Sequence, residues 1–203
     1  LGANVATALI WQVLSFAIAA VAPVLIRAGY VMSRRAQPLV HDLGRALIGL
    51  GLMLLALHQM LAVLGAAEAT PTFTAGMAVI ASVPALIFLL AALAAWGAHS
   101  SVAVVLLVMS LAAHGQLPLA VGFVAVLGAN LGTAINPLLE TDGTSPEARR
   151  LPLGNLLNRC LGIAIALALL PLLPALFAAV PAAQGIALFH RLFNLVLALV
   201  MLP

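Results

Sequence analysis

Lysine is absent from these 203 residues, Asp and Glu together number five, and cysteine and tyrosine occur once each. So little charge excludes an ordinary soluble domain: 6% of the residues are charged and 65% are hydrophobic, where a soluble domain carries roughly a quarter charged. The basic residues are all arginine, and most lie in or beside two short loops, at Arg34-Arg35 and Arg149-Arg150, rather than in one patch. That distribution orients a membrane protein and gives no case for nucleic acid as a partner. With one cysteine, Cys160, no internal disulfide can form, and its setting in an apolar run reads as a small buried hydrophobe. No stretch alternates residue by residue, which excludes a transmembrane β-barrel.

Catalytic and metal-binding patterns are missing too. His99 adjoins Ser100 and Ser101, but neighbours on a helix do not face each other, and no acid lies nearby in sequence to orient the imidazole. The sequence therefore reads as no enzyme, with no cofactor. His41, His58, His114 and His190 are widely separated, without metal-ligand spacing, and read as helix-end or headgroup residues. The opening residues have neither a basic segment nor a cleavage site of a signal peptide. Beginning at Leu1 inside a motif and ending at Pro203 inside an apolar run, the sequence reads as part of a longer chain.

What is present is a series of apolar runs long enough to cross a hydrocarbon core of roughly 30 Å as α-helices. They cover residues 5–32, 46–65, 75–96, 118–139, 151–180 and 185–203. Pro23, Pro84, Asn136-Pro137, Pro171 and Pro174 mark kinks or ends, and Gly49 and Gly51 give the second run a small-residue surface. Residues 102–113 are apolar but too short to span, so they read as a half-helix or re-entrant arm with Ser100 or Ser101 as N-cap. The expected fold is all-α: a polytopic transmembrane helical bundle with internal repeats and broken or re-entrant helices. If arginine-rich loops face one side, an even number of crossings separates the two arginine pairs.

Two polar interruptions stand out: Gly97 to Ser101, and Gly128-Ala129-Asn130-Leu131-Gly132-Thr133. Irregular backbone at membrane depth is tolerated only where it is buried in protein or lines a cavity, so both are expected to bound a transport site, with Gly97, Gly128 and Gly132 breaking the helices. The second interruption repeats near the start of the chain, where Leu1-Gly2-Ala3-Asn4-Val5-Ala6-Thr7-Ala8 differs from Leu127 to Ala134 at two positions. Each copy precedes an arginine pair and a further arginine, Arg45 or Arg159. Matching landmarks in the same order imply a duplicated unit, the sequence sign of a secondary transporter's central site. Residues 1–74 then hold the end of a first repeat and a connecting span, and 75–203 a second repeat truncated at its C-terminus.

These motifs resemble the bacterial sodium/phosphate cotransporter family, whose repeats carry a Gln-Ser-Ser-Ser element followed by Gly-Ala-Asn-Ile-Gly-Thr-Thr. His99-Ser100-Ser101-Val102 is similar to the first, with His for Gln and Val for the third Ser, and Gly128 to Thr133 to the second. Asn155-Leu156-Leu157-Asn158 after Arg149-Arg150, and His190-Arg191-Leu192-Phe193-Asn194, resemble the family's helix starts. The resemblance implies sodium-dependent symport of inorganic phosphate, in a multi-pass protein of the cell (inner) membrane. The implied partners are phosphate, sodium as coupling ion and the lipid bilayer, with homo-oligomerisation open.

Phosphate would meet hydroxyls and free N–H groups at a half-helix start: His99, Ser100 and Ser101, with Asn130 and Thr133, and Asn4 and Thr7 from the first repeat. Sodium would take oxygens of Asn130, Thr133 and Ser101. His99 has two readings, a phosphate donor whose protonation makes transport pH-dependent or a ring satisfied by a nearby carbonyl. The serines can bond back into their own helix, and Gly128 and Gly132 can serve helix packing. Two rival functions stand beside symport: a non-transporting membrane scaffold or accessory subunit of the same fold, favoured by the changes at Val102 and Ala6, and a carrier of another anion.

Overall fold

The computed structural model describes residues 18–141 and 146–201. Among them are nine helices and no strand: α1 Ile18–Ser33, α2 Pro38–Glu68, α3 Pro71–Ala81, α4 Pro84–Gly97, α5 Ser101–Ala113, α6 Leu119–Glu140, α7 Pro146–Ala168, the single turn α8 Leu173–Leu176, and α9 Ala182–Met201. Four of them, α2, α6, α7 and α9, are long and apolar enough to cross a membrane, and the bent pair α3–α4 can supply a fifth span. This is a multi-pass membrane protein.

Among the described residues the helices fall into two units, 18–66 and 67 onward. In the first, α1 meets α2 at small residues. A methyl on Gly51 would lie 2.6 Å from the Ile26 side chain and 2.9 Å from the Ala22 carbonyl oxygen, and Gly29 is as tightly placed against Gly44 and Ile48. Gly49, expected to share that surface, faces open space.

The second unit surrounds α6. Phe123, Ala125, Val126, Leu127, Ala129 and Asn130 have no solvent-accessible surface, and α4, α5, α7 and α9 all pack on this helix. Bilayer tails are as apolar as leucine, so helix association here depends on close packing and polar contacts more than on a hydrophobic drive. Gly128 and Gly132 supply the packing: a methyl on either would overlap the main-chain oxygen of Phe88 or Ala92 on α4. Expected as a break, this stretch is instead a continuous helix. Each i→i−4 hydrogen bond can form without unwinding, and what glycine contributes is the missing Cβ that lets α4 approach.

The real break lies earlier in the chain. Residues 75–96, expected as one interrupted span, form α3 and α4, bent by 109° at Ser82-Val83. Pro84 is the cause. It lacks an N–H and crowds the residue before it out of the helical region, and Val83 takes an extended φ of −119°. The amides of Leu86 and Ile87 then restart the helix on the Val83 carbonyl.

Residues 101–113 form the short helix expected. Apolar on all sides, α5 is buried from Val104 to Ala112 apart from Leu107 and Ser110, the condition under which a non-spanning helix survives at membrane depth. Residues 151–180 are not one span: α7 starts earlier, at Pro146, and gives way after Ala168 to turns around Pro171 and Pro174. Cys160, expected inside, is exposed on α7. Phe123, Phe177 and Phe189 stack together, with centroids 4.4 Å apart between Phe123 and Phe189, and fasten α6 to α9.

Candidate functional site

Helix α4 closes with a tight reversal. The Ser100 amide bonds back to the Ala95 oxygen at 3.2 Å and the His99 amide to the Trp96 oxygen at 3.2 Å, while His99 holds a left-handed φ of 52°. This is the helix-ending motif that usually places Gly or Asn at the left-handed residue. A Cβ there costs roughly 1–2 kcal/mol. Ser100 then caps α5 by accepting from the Ala103 amide at 3.2 Å, and Ser101 is the first helical residue. Gly97 is the last residue of α4, with open space around it.

The His99 ring is exposed. Its Nε2 lies 3.1 Å from a Glu140 carboxylate oxygen, and its Nδ1 3.4 Å from the Gly97 oxygen. Glu140 ends α6, so the reversal sits at the C-terminal end of that helix, as does the bond from Asn136 Nδ2 to the Trp96 oxygen at 3.2 Å. Lower down, Val108 of α5 approaches Gly122. Helix α5 thus runs antiparallel to α6. The Thr133 hydroxyl bonds back into its own helix, donating to the Ala129 and Asn130 oxygens at 3.2 and 3.3 Å. Asn4 and Thr7 lie outside the described residues.

Asn130 belongs to a different constellation. Arg159 of α7 donates from one Nη to both Asn130 oxygens, the side-chain Oδ1 and, at 3.3 Å, the main-chain oxygen. Asn130 Nδ2 donates to the Val126 oxygen at 2.9 Å and faces His190 Nδ1 of α9 at 3.3 Å. Asn194, one turn along α9, donates to the His190 oxygen at 2.9 Å and faces the same ring nitrogen at 3.4 Å. With two amide donors on Nδ1, that nitrogen is the acceptor and the ring proton belongs on Nε2. Exposures of 0% for Asn130, 3% for Asn194, 4% for Arg159 and 5% for His190 leave the whole group out of solvent.

Two expectations change. His190, placed at a helix end from sequence, is buried in the bundle, where its i+4 partner Asn194 and the facing Asn130 meet its Nδ1. The Asn130 oxygens, expected to hold sodium, are occupied by a guanidinium, and a cation would have to displace it. Arg159 had been only a landmark of the repeat. The available signal was an arginine flanked by apolar turns in a spanning helix, where a charge is costly enough to mark function.

Residues 1–62 match the family described as Na+/Pi-cotransporter. All of the chain aligns at 38% identity with a protein of Escherichia coli (strain K12) named as a candidate inorganic phosphate export protein, YjbB. Over residues 1–62 the chain is thus similar to the Na+/Pi-cotransporter family. A protein of the same name in Salmonella typhimurium is 36% identical, again over 100% of this chain. The chain spans 38% of the length of these relatives. No solved structure matches it.

Proposed function

We propose that this chain forms part of a secondary transporter that carries inorganic phosphate across the cell (inner) membrane, coupled to sodium. The observation that supports this most directly is the reversal at residues 97–101. It ends one helix and starts the enclosed half-helix α5 at two serines. Helix N-termini of this kind attract anions through unpaired donors and a dipole of roughly half a charge. Sodium would be taken by main-chain and hydroxyl oxygens around Ser101 and Thr133.

A second reading has its own observation. The guanidinium of Arg159 sits where a coupling sodium at Asn130 would sit, and the relatives are named for phosphate export. A fixed positive charge can take the place of a co-transported cation, so phosphate would leave down its own gradient.

Flux of labelled phosphate through the full-length protein in proteoliposomes, with sodium or choline on either side, separates the two. Uptake that needs an inward sodium gradient and falls at least tenfold in Ser100→Ala and Ser101→Ala supports symport. Equal flux in choline supports the second reading. A folded protein that moves no phosphate under any gradient sinks both and leaves a scaffold.

A further inference from the structure

Arg159 is a buried cation with no carboxylate beside it among the described residues. Each described carboxylate is accounted for elsewhere: Asp42 pairs with His41, Glu68 with His114, and Glu140 with His99, while Glu147 lies twelve residues back along α7, about 18 Å at 1.5 Å per residue. What Arg159 meets is the two oxygens of Asn130, dipoles without charge. A desolvated ion costs several kcal/mol unless compensated, and charges that persist inside proteins are paired or coordinate a ligand.

Two donors in the same cluster are left over. Arg159 Nε and His190 Nε2 are both buried and have no partner. Both side chains border one carboxamide, the Arg159 guanidinium at Asn130 Oδ1 and the His190 ring at Asn130 Nδ2. Both are N–H groups, so what is missing is an acceptor, and the uncompensated charge asks for a negative one. A sodium or a proton would worsen both deficits.

We infer that Arg159 Nε and His190 Nε2 form a binding site for a small oxyanion of the phosphate type, held between α7 and α9 beside Asn130. The assignment of the oxyanion to transported phosphate rests on the function proposed above; the site itself rests on the cluster. The donors are enclosed here, so entry requires α7 and α9 to part. Asn130 would remain the hinge of the group, holding the guanidinium while the anion takes its free edge.

Equilibrium binding of labelled inorganic phosphate to the full-length protein in phosphatidylcholine nanodiscs, in choline buffer and in sodium buffer, tests this. The expected result is binding in choline that weakens at least tenfold in Arg159→Gln and less in Arg159→Lys, which keeps charge but not the fork, with His190→Gln several-fold weaker. Thermal unfolding checks that each variant folds. If Arg159→Gln does not, Arg159→Lys and His190→Gln decide. Wild-type affinity in both folded variants overturns the site. Competition by added phosphatidylglycerol keeps the site and assigns it to a lipid headgroup. Binding of sulfate but not phosphate keeps the site and removes phosphate as cargo. Phosphate binding and flux both unchanged in folded Arg159→Gln overturn the site while leaving phosphate carriage standing.

Discussion

At the scale of single residues, Asn130 is the point on which three helices depend. Its amide group takes Arg159 on one edge and His190 on the other, so Asn130→Leu strands two polar partners at once. A loss of about 3–5 kcal/mol is expected, the range for breaking a buried charged pair, read as a lower unfolding temperature of the purified full-length protein. Asn130→Asp, which still accepts from the guanidinium, should lose less; equal losses would contradict the bonding described. Ser100→Ala removes only the cap on Ala103 and should cost about 1 kcal/mol, so a large fall in phosphate flux there would reflect binding rather than folding.

Among elements, the contact of α4 with α6 turns on absent Cβ atoms. Gly128→Ala and Gly132→Ala place a methyl against the main chain of Phe88 and Ala92, which cannot rotate away as a side chain can, so the helices must separate. Each is expected to destabilise by several kcal/mol, in the manner of overpacked cores. Gly76→Ala and Gly154→Ala, where nothing lies within 4 Å, should be neutral or stabilise by up to about 1 kcal/mol from helix propensity. Comparable losses in all four would remove packing as the reason for glycine at 128 and 132. The bend at Ser82-Val83 is a proline effect, and Pro84→Ala is expected to reduce the 109° angle, measurable as a longer spin-label distance between positions 73 and 95.

For the whole molecule, orientation follows from arginine. Cysteines placed singly at 35 and 149 in the full-length protein, with Cys160→Ser, should react with an impermeant maleimide from the same side of the membrane. Labelling from opposite sides would require an odd number of crossings between the arginine pairs and would reassign the bent pair α3–α4 or the short helix α5.

Composition alone determined that the chain is a helical membrane protein, because so few charges and such long apolar runs leave no other way to satisfy the backbone in lipid. Local chemistry determined the short helix α5 and a serine cap, since a serine before a dozen apolar residues meets the first free amides whatever surrounds it, while the structure chose Ser100 over Ser101. The break at 128–133 could not be read correctly from sequence: Gly-Ala-Asn-Leu-Gly-Thr is as suitable for unwinding as for close approach, and only the position of α4 decides between them. The polar cluster depended on tertiary structure still more. Asn130 and His190 are sixty residues apart, and no periodicity within α6, α7 or α9 reveals which face of each turns toward the others. Burial then converts an arginine that sequence counts as one more positive charge into a cation that needs an anion.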